Sequence, residues 1–158
     1  MFRELVRKNK QLSQEECIRL LTEEKRGVLS VLGDDDYPYG MPMNHFYNAE
    51  DGKIYFHCGN VGHRLEALQK HDKVSFCVYD KGYKKDGHWA DMVKSVIVFG
   101  RMEIIDDMDK IVDITTKLSY KFIQDDEYIK GEIASSAHRT LLLQLNPEHI
   151  CGKFVTEA

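Results

Sequence analysis

The chain begins with a helical alternation and then changes to an extended one. Ser13-Gln14-Glu15-Glu16 fits a capping box, with Ser13 as N-cap and Glu16 three residues on. Ile18 and Leu21 then share a helical face and Gly27 is placed to stop the helix, which predicts a helix over 14–25. From Val28 the period becomes that of a strand. Val28–Leu32 is followed by the turn residues Gly33-Asp34-Asp35-Asp36, and Tyr37–Tyr47 reads as a longer second strand. Pro42 cannot donate to a ladder, so that strand lies at an edge or is bulged there.

Asn48–Gly52 turns the chain into a third strand, Lys53–His57, and Gly59–Gly62 opens a short helix over His63–Lys70. Val74–Tyr79 and Ser95–Ile105 read as a fourth and a fifth strand, separated by a polar loop from Asp80 to Asp91. Ile111, Ile114 and Leu118 have helical spacing within Asp106–Leu118, with acidic residues at the start to suit the helix dipole. One or two further helices are expected over Asp125–Ala137, then a sixth strand over Thr140–Leu145. Successive hairpins favour an antiparallel sheet. The expected class is mainly β with peripheral helices (α+β), a six-stranded antiparallel barrel closed or partly closed.

Composition adds limits. The 158 residues suit a single domain over 1–158, with 1–12 as an N-terminal arm. No stretch approaches the roughly 18 consecutive apolar residues of a transmembrane helix, and the first residues lack the apolar core of a secretory signal. The net charge of −4, from 22 basic and 26 acidic residues, argues against a nucleic-acid partner while leaving room for a local phosphate pocket. Cys17, Cys58, Cys77 and Cys151 form no CxxC pair and read as free thiols of a cytoplasmic protein.

The richest chemistry lies at Phe56-His57-Cys58-Gly59-Asn60-Val61-Gly62-His63-Arg64. A strand, a tight glycine turn and a helix start follow one another there. Free amides at the helix start, the dipole and the fork of Arg64 suit a phosphate; a plain strand-turn-helix junction with a surface arginine is the competing reading. His57, Cys58, His63 and His71 lie close in sequence but lack the paired spacing of structural zinc ligands, so no metal is expected. His88-Trp89 either caps a ligand or is an amphipathic residue at a subunit edge. Asp34-Asp35-Asp36 reads as a solvated turn.

This segment is similar to the phosphate-binding stretch of the pyridoxamine 5′-phosphate oxidase-like split-barrel superfamily, and closer still to its 5-nitroimidazole resistance branch. Tyr37-Pro38-Tyr39-Gly40 leading to Pro42-Met43-Asn44-His45, Tyr55-Phe56-His57-Cys58, Ser95-Val96-Ile97-Val98-Phe99-Gly100 and Cys151-Gly152-Lys153 match motifs of that branch in order. The resemblance implies a Greek-key-like split barrel that binds FMN at a homodimer interface. Pro42, Met43, Asn44 and His45 would run beneath the ring, and His57 and Cys58 would flank the ribityl chain and phosphate. Gly62, His63 and Arg64 would hold the phosphate, and Ser95, Val96 and Val98 would come from the neighbouring subunit. It departs from the superfamily at His45, where a lysine is common, and in having Arg64 without a following lysine. The stretch from Cys151 to Ala158 has nothing resembling the arginine-rich clamp of the vitamin B6 oxidases. The implied activity is electron transfer from NADH or NADPH to a small acceptor such as a nitroimidazole or other nitroaromatic, with His45 or His57 supplying a proton. The alternative is a flavin- or haem-binding module without turnover.

Overall fold

Ser13 caps the first helix as its spacing predicts. In the computed structural model, which describes residues 1–157, the Ser13 hydroxyl accepts from the Glu16 amide at 3.2 Å and the Glu16 carboxylate accepts from the Ser13 amide at 3.1 Å. Helix α1 (Gln14–Glu23) buries Cys17, Leu20 and Leu21, while Ile18 is half-buried. It ends before Gly27, because Glu24 is already extended. Gly27 therefore belongs to β1 (Arg26–Leu32) and lies against the Phe76 ring rather than capping the helix.

The remaining elements are β2 (Pro38–Asn44), β3 (Phe46–Asn48), β4 (Lys53–Gly59), α2 (His63–Lys70), β5 (Lys73–Tyr79), β6 (Tyr83–Lys84), β7 (Asp91–Ile105), α3 (Met108–Ser119), α4 (Asp126–Ser136) and β8 (Thr140–Glu157). The strands form one antiparallel sheet in the order β2-β1-β5-β7-β8-β4-β3, with β6 attached to β7. The expected antiparallel barrel with peripheral helices is present, with eight strands in place of six. One extra strand arises because the predicted run 37–47 breaks at His45 into β2 and β3. The other, β6, lies in the predicted polar loop.

That break closes the sheet. β2 and β3 are the two ends of the strand order, yet only His45 separates them in sequence. The sheet must curl until its edges meet at this corner. Pro42 sits on the edge strand β2 opposite Val28, where its missing N–H costs no ladder bond, which decides between the two expectations for it. Inside the curl Leu29, Phe56, Phe76, Val96, Val98, Leu143 and Leu145 have no exposed surface. Outside it, Ile111 and Ile114 of α3 pack on Tyr55 and Leu142, covering the outer face of β4 and β8.

β8 runs 12 residues past its predicted end at Leu145, pairing with β7 up to Asp91↔Glu157. Asn146-Pro147-Glu148 looks like a terminator in sequence, but a bulge opposite Phe99 and Gly100 absorbs it. A Cβ at Gly100 would lie 2.3 Å from the Asn146 carbonyl oxygen, a backbone atom with nowhere to go. Gly100→Ala should therefore destabilise the protein by about 2–3 kcal/mol, lowering Tm by roughly 5–10 °C. Gly131→Ala in α4, where an added Cβ meets nothing within 4 Å, should raise stability by about 1 kcal/mol in the same thermal melts.

Candidate functional site

β4 delivers the chain to α2 through a turn that leaves an open anion cradle. Gly62 is the N-cap of α2 with φ +127°, a conformation L side chains avoid, and no side chain caps the helix. A Cβ on Gly59 or Gly62 would meet nothing within 4 Å. Arg64, half-buried in the first turn, donates from Nη1 to the Met43 thioether at 2.9 Å. Among the described residues no carboxylate pairs with it. A guanidinium with a weak sulfur acceptor and no counter-ion, beside a free helix start, is suited to an anion. His63 is differently engaged: its ring stacks on Tyr39 with centroids 4.5 Å apart, and Nε2 lies 3.6 Å from an Asp34 carboxylate oxygen. The cradle thus has one uncommitted cation.

From the cradle the site continues along β4 and β2. Side chains alternate across a strand, so Pro42, Asn44 and His57 face outward while Met43 and Cys58 point into the barrel. Arg26 Nε donates to Asn44 Oδ1 at 3.4 Å. Asn44 and His57 line a cavity of about 260 Å³ whose other walls come from α3, α4, the segment between them and the start of β8, among them Thr115, Phe122, Glu132 and Thr140. Desolvation by its surroundings, aided by the nearby Arg64 charge, lowers the His57 pKa although the residue keeps exposed surface. Burial raises that of the Cys58 thiol against the opposing pull of Arg64, so Cys58 is a small buried residue and not a thiolate.

His45 does not belong to the ligand-facing set. Its side chain has no exposed surface, its Nε2–H donates to the Leu21 carbonyl at 2.7 Å, and its ring packs edge-on against Phe76. The Lys121 ammonium donates to the His45 carbonyl at 2.8 Å and to that of Glu24 at 2.7 Å, tying the barrel corner to the end of α1. Burial, reinforced by Lys121, pushes the His45 pKa down to about 4. The expected proton-donor role for His45 is corrected accordingly: it is the hinge pin of the corner. The side chains of Val96 and Val98, expected as ligand contacts for a neighbouring subunit, are fully buried in this chain's own core, which leaves only their backbone to meet a ligand. Ser95, Ile97 and Phe99 occupy the outward positions of β7 instead. Strand parity alone excludes Ser95 and Val96 from one face, a signal the sequence already contained.

The contacts of Tyr39 and Asp34 with His63, and the α3 and α4 side chains of the cavity, have no signature in the sequence. No periodicity reports on contacts made across a sheet. Trp89 is 75% exposed, with its carbonyl held by Lys84. Among the described residues no three His, Cys, Asp or Glu side chains cluster as metal ligands, and no helix is long and apolar enough to cross a membrane.

A family model described as pyridoxamine 5′-phosphate oxidase matches residues 13–154. Solved structures share the fold. A protein described as a 5-nitroimidazole antibiotic resistance protein, from Bacteroides thetaiotaomicron, aligns with a TM-score of 0.77 at 17% identity, covering 93% of this chain and 87% of that one. A conserved hypothetical protein from Mycobacterium tuberculosis aligns at 0.80 and 16% identity, over 95% of this chain and 90% of that one. A FAD-binding protein from Mesorhizobium loti aligns at 0.67 and 22% identity, over 92% and 97%. No curated protein sequence matches the chain.

Proposed function

Because the chain belongs to the pyridoxamine 5′-phosphate oxidase family, we propose that it is a flavin-dependent oxidoreductase that holds FMN between the α2 cradle and the cavity beside His57. The observation that carries this reading is the uncompensated Arg64 guanidinium at an uncapped, glycine-lined helix start. The FAD-binding relative supports a flavin as the ligand class. A single phosphate favours FMN, since the cradle has one uncommitted cation.

When bound, the flavin supplies hydride acceptance from NADH or NADPH and electron delivery to a small acceptor such as a nitroaromatic. The chain's own residues bind and orient it. Arg64 and the first amides of α2 hold the phosphate; Asn44 and Pro42 present the outward surface of β2 to the ring. His57, outward-facing and with its pKa lowered, can in its neutral form donate one ring N–H or accept a proton on its other nitrogen. The α3 and α4 walls exclude water from the cavity side.

A homodimer fits the same reading. Pro42, Val28, Cys77, Ile97 and Cys151 form one apolar row across five strands on the outer face of the sheet, and Phe99 is 40% exposed in the adjoining row. A second copy covering that row would bring Ser95 towards the partner's site. Free thiols at all four cysteines suit a reducing cytoplasm.

The test is an absorbance spectrum of purified protein after incubation with FMN, followed by anaerobic titration with NADH and NADPH. Two visible flavin bands that bleach on reductant are expected. Protein that stays colourless with FMN sinks the binding assignment. Bound flavin that neither nucleotide reduces sinks the oxidoreductase and leaves a binding module.

A further inference from the structure

Cys151-Gly152-Lys153, prominent in the sequence, does not line the cavity beside His57. Its place in the fold explains the glycine. A Cβ at Gly152 would lie 2.6 Å from Cys17 Sγ and 3.0 Å from Leu12 Cδ1, so only glycine lets α1 and the segment before it sit on β8. The Leu12 amide donates to the Gly152 carbonyl at 2.9 Å, and Gln11 forms a β-bridge with Lys153. The N-terminal arm is thereby seated beside the end of β8.

Seating it opens a cleft of about 550 Å³ between residues 4–10 and 153–156, larger than the cavity beside His57. Leu5 and Val155, both half-buried, give it apolar walls, and Arg7, Lys10 and Lys153 give it three cations. Neighbouring lysines are neutralised: Lys8 pairs with Glu4 at 2.9 Å and Lys94 with Glu16 at 3.7 Å. Glu4 also lines the cleft, and its carboxylate is the one that Lys8 engages. Among the described residues no carboxylate pairs with Arg7, Lys10 or Lys153. Lys10 has the Phe154 ring 4.5 Å from its Nζ as its one special contact.

In a chain of net charge −4, residues 1–12 carry four cations against one carboxylate. Like charges gathered on one concave surface repel each other and concentrate positive potential there. An anion relieves that repulsion. Guanidinium and ammonium donors together suit phosphate oxygens, while the apolar wall has no use for a bare inorganic ion.

We propose that this cleft binds a phosphorylated small molecule with an apolar or planar moiety, its phosphate meeting Arg7, Lys10 and Lys153 and its other part lying on Leu5 and Val155. The cleft shares no lining residue with the cavity beside His57, and the inference stands without the flavin assignment. Nucleoside diphosphates and reduced nicotinamide nucleotides share this chemistry.

The test is calorimetric titration of the full chain, saturated with FMN where FMN binds, with ADP, NADPH and inorganic pyrophosphate. ADP and NADPH should bind more tightly than pyrophosphate, with affinity falling as salt rises. Lys153→Gln and Arg7→Gln should each weaken ADP about tenfold or more, the loss of one charge-assisted contact. Lys130→Gln on α4, which pairs with Glu127 and does not line the cleft, should leave it unchanged. No binding of ADP or NADPH by the wild type, or unchanged ADP affinity in the Lys153→Gln/Arg7→Gln double variant, overturns the site. Equal affinity for ADP and pyrophosphate overturns the organic moiety. NADPH binding without ADP binding would mean that recognition lies in the nicotinamide half and overturns the shared phosphate chemistry. The FMN absorbance bands report separately on the flavin site and should be the same in all these variants.

Discussion

Arg64→Ala should weaken FMN binding by about 10- to 100-fold while leaving the fold intact, the range expected for losing hydrogen bonds to a charged group. Arg64 is half-buried and makes no ion pair among the described residues, and its one hydrogen bond goes to the Met43 thioether. Thioether sulfur is a weak acceptor, so little native stability depends on the guanidinium. The substitution therefore separates binding from folding. Flavin-fluorescence quenching gives the dissociation constant, and a thermal melt of the apoprotein checks that Tm stays within a few degrees. Arg64→Lys keeps the charge but loses the planar fork, and should fall between wild type and alanine. Unchanged FMN affinity in Arg64→Ala would remove the phosphate assignment, and with it the reason for placing the ring along β2.

Acid should destabilise the protein through His45 more than through any surface histidine. In the native state the ring is sealed from water, Nε2–H is committed to the Leu21 carbonyl, and Nδ1 is buried without a partner. Protonation would place a charge on Nδ1 close to the Lys121 ammonium. The folded pKa is pushed down to about 4, from an ordinary value of 6.5. Between these values the unfolded chain takes up a proton that the native chain refuses. His45 therefore favours the folded state in full above about pH 6.5, and that contribution is lost as pH falls, amounting to about 3 kcal/mol by pH 4. His45→Gln keeps a donor for the Leu21 carbonyl and cannot titrate. Urea unfolding at pH 7 and pH 4.5 should show a smaller acid loss in the variant than in wild type. An identical loss in both would mean that His45 opens to solvent in the native state and is no corner pin.

Local chemistry was legible where it acts over a few residues. The Ser13 capping box forms as its spacing requires, and α2 covers His63–Lys70 as expected. Ile111, Ile114 and Leu118 form the buried stripe of α3. The turn at Gly59–Gly62 and the place of Arg64 in the first turn of α2 follow from residue types at one strand-helix junction. The expectations that failed each required knowledge of another part of the chain. Gly27 looks like a helix stop until Phe76 is seen against it, and Asn146-Pro147-Glu148 looks like a strand end until the β7 bulge takes it in. His45 reads as a ligand residue because its motif does, yet Leu21, Glu24 and Lys121 decide where it points.

The period of each segment, the antiparallel class, the glycine turn with its arginine, and the alternation that separates Ser95 from Val96 can all be read along the chain. These depend on backbone geometry and on neighbours within a turn or a strand. Packing between distant segments settles which face of each strand looks out, closes β2 and β3 through one buried histidine, and brings the N-terminal arm to Lys153 to form a cationic cleft. Contacts between residues such as Leu12 and Gly152 leave no periodic trace, because what joins them is the packing of distant segments and not the repeat of either one.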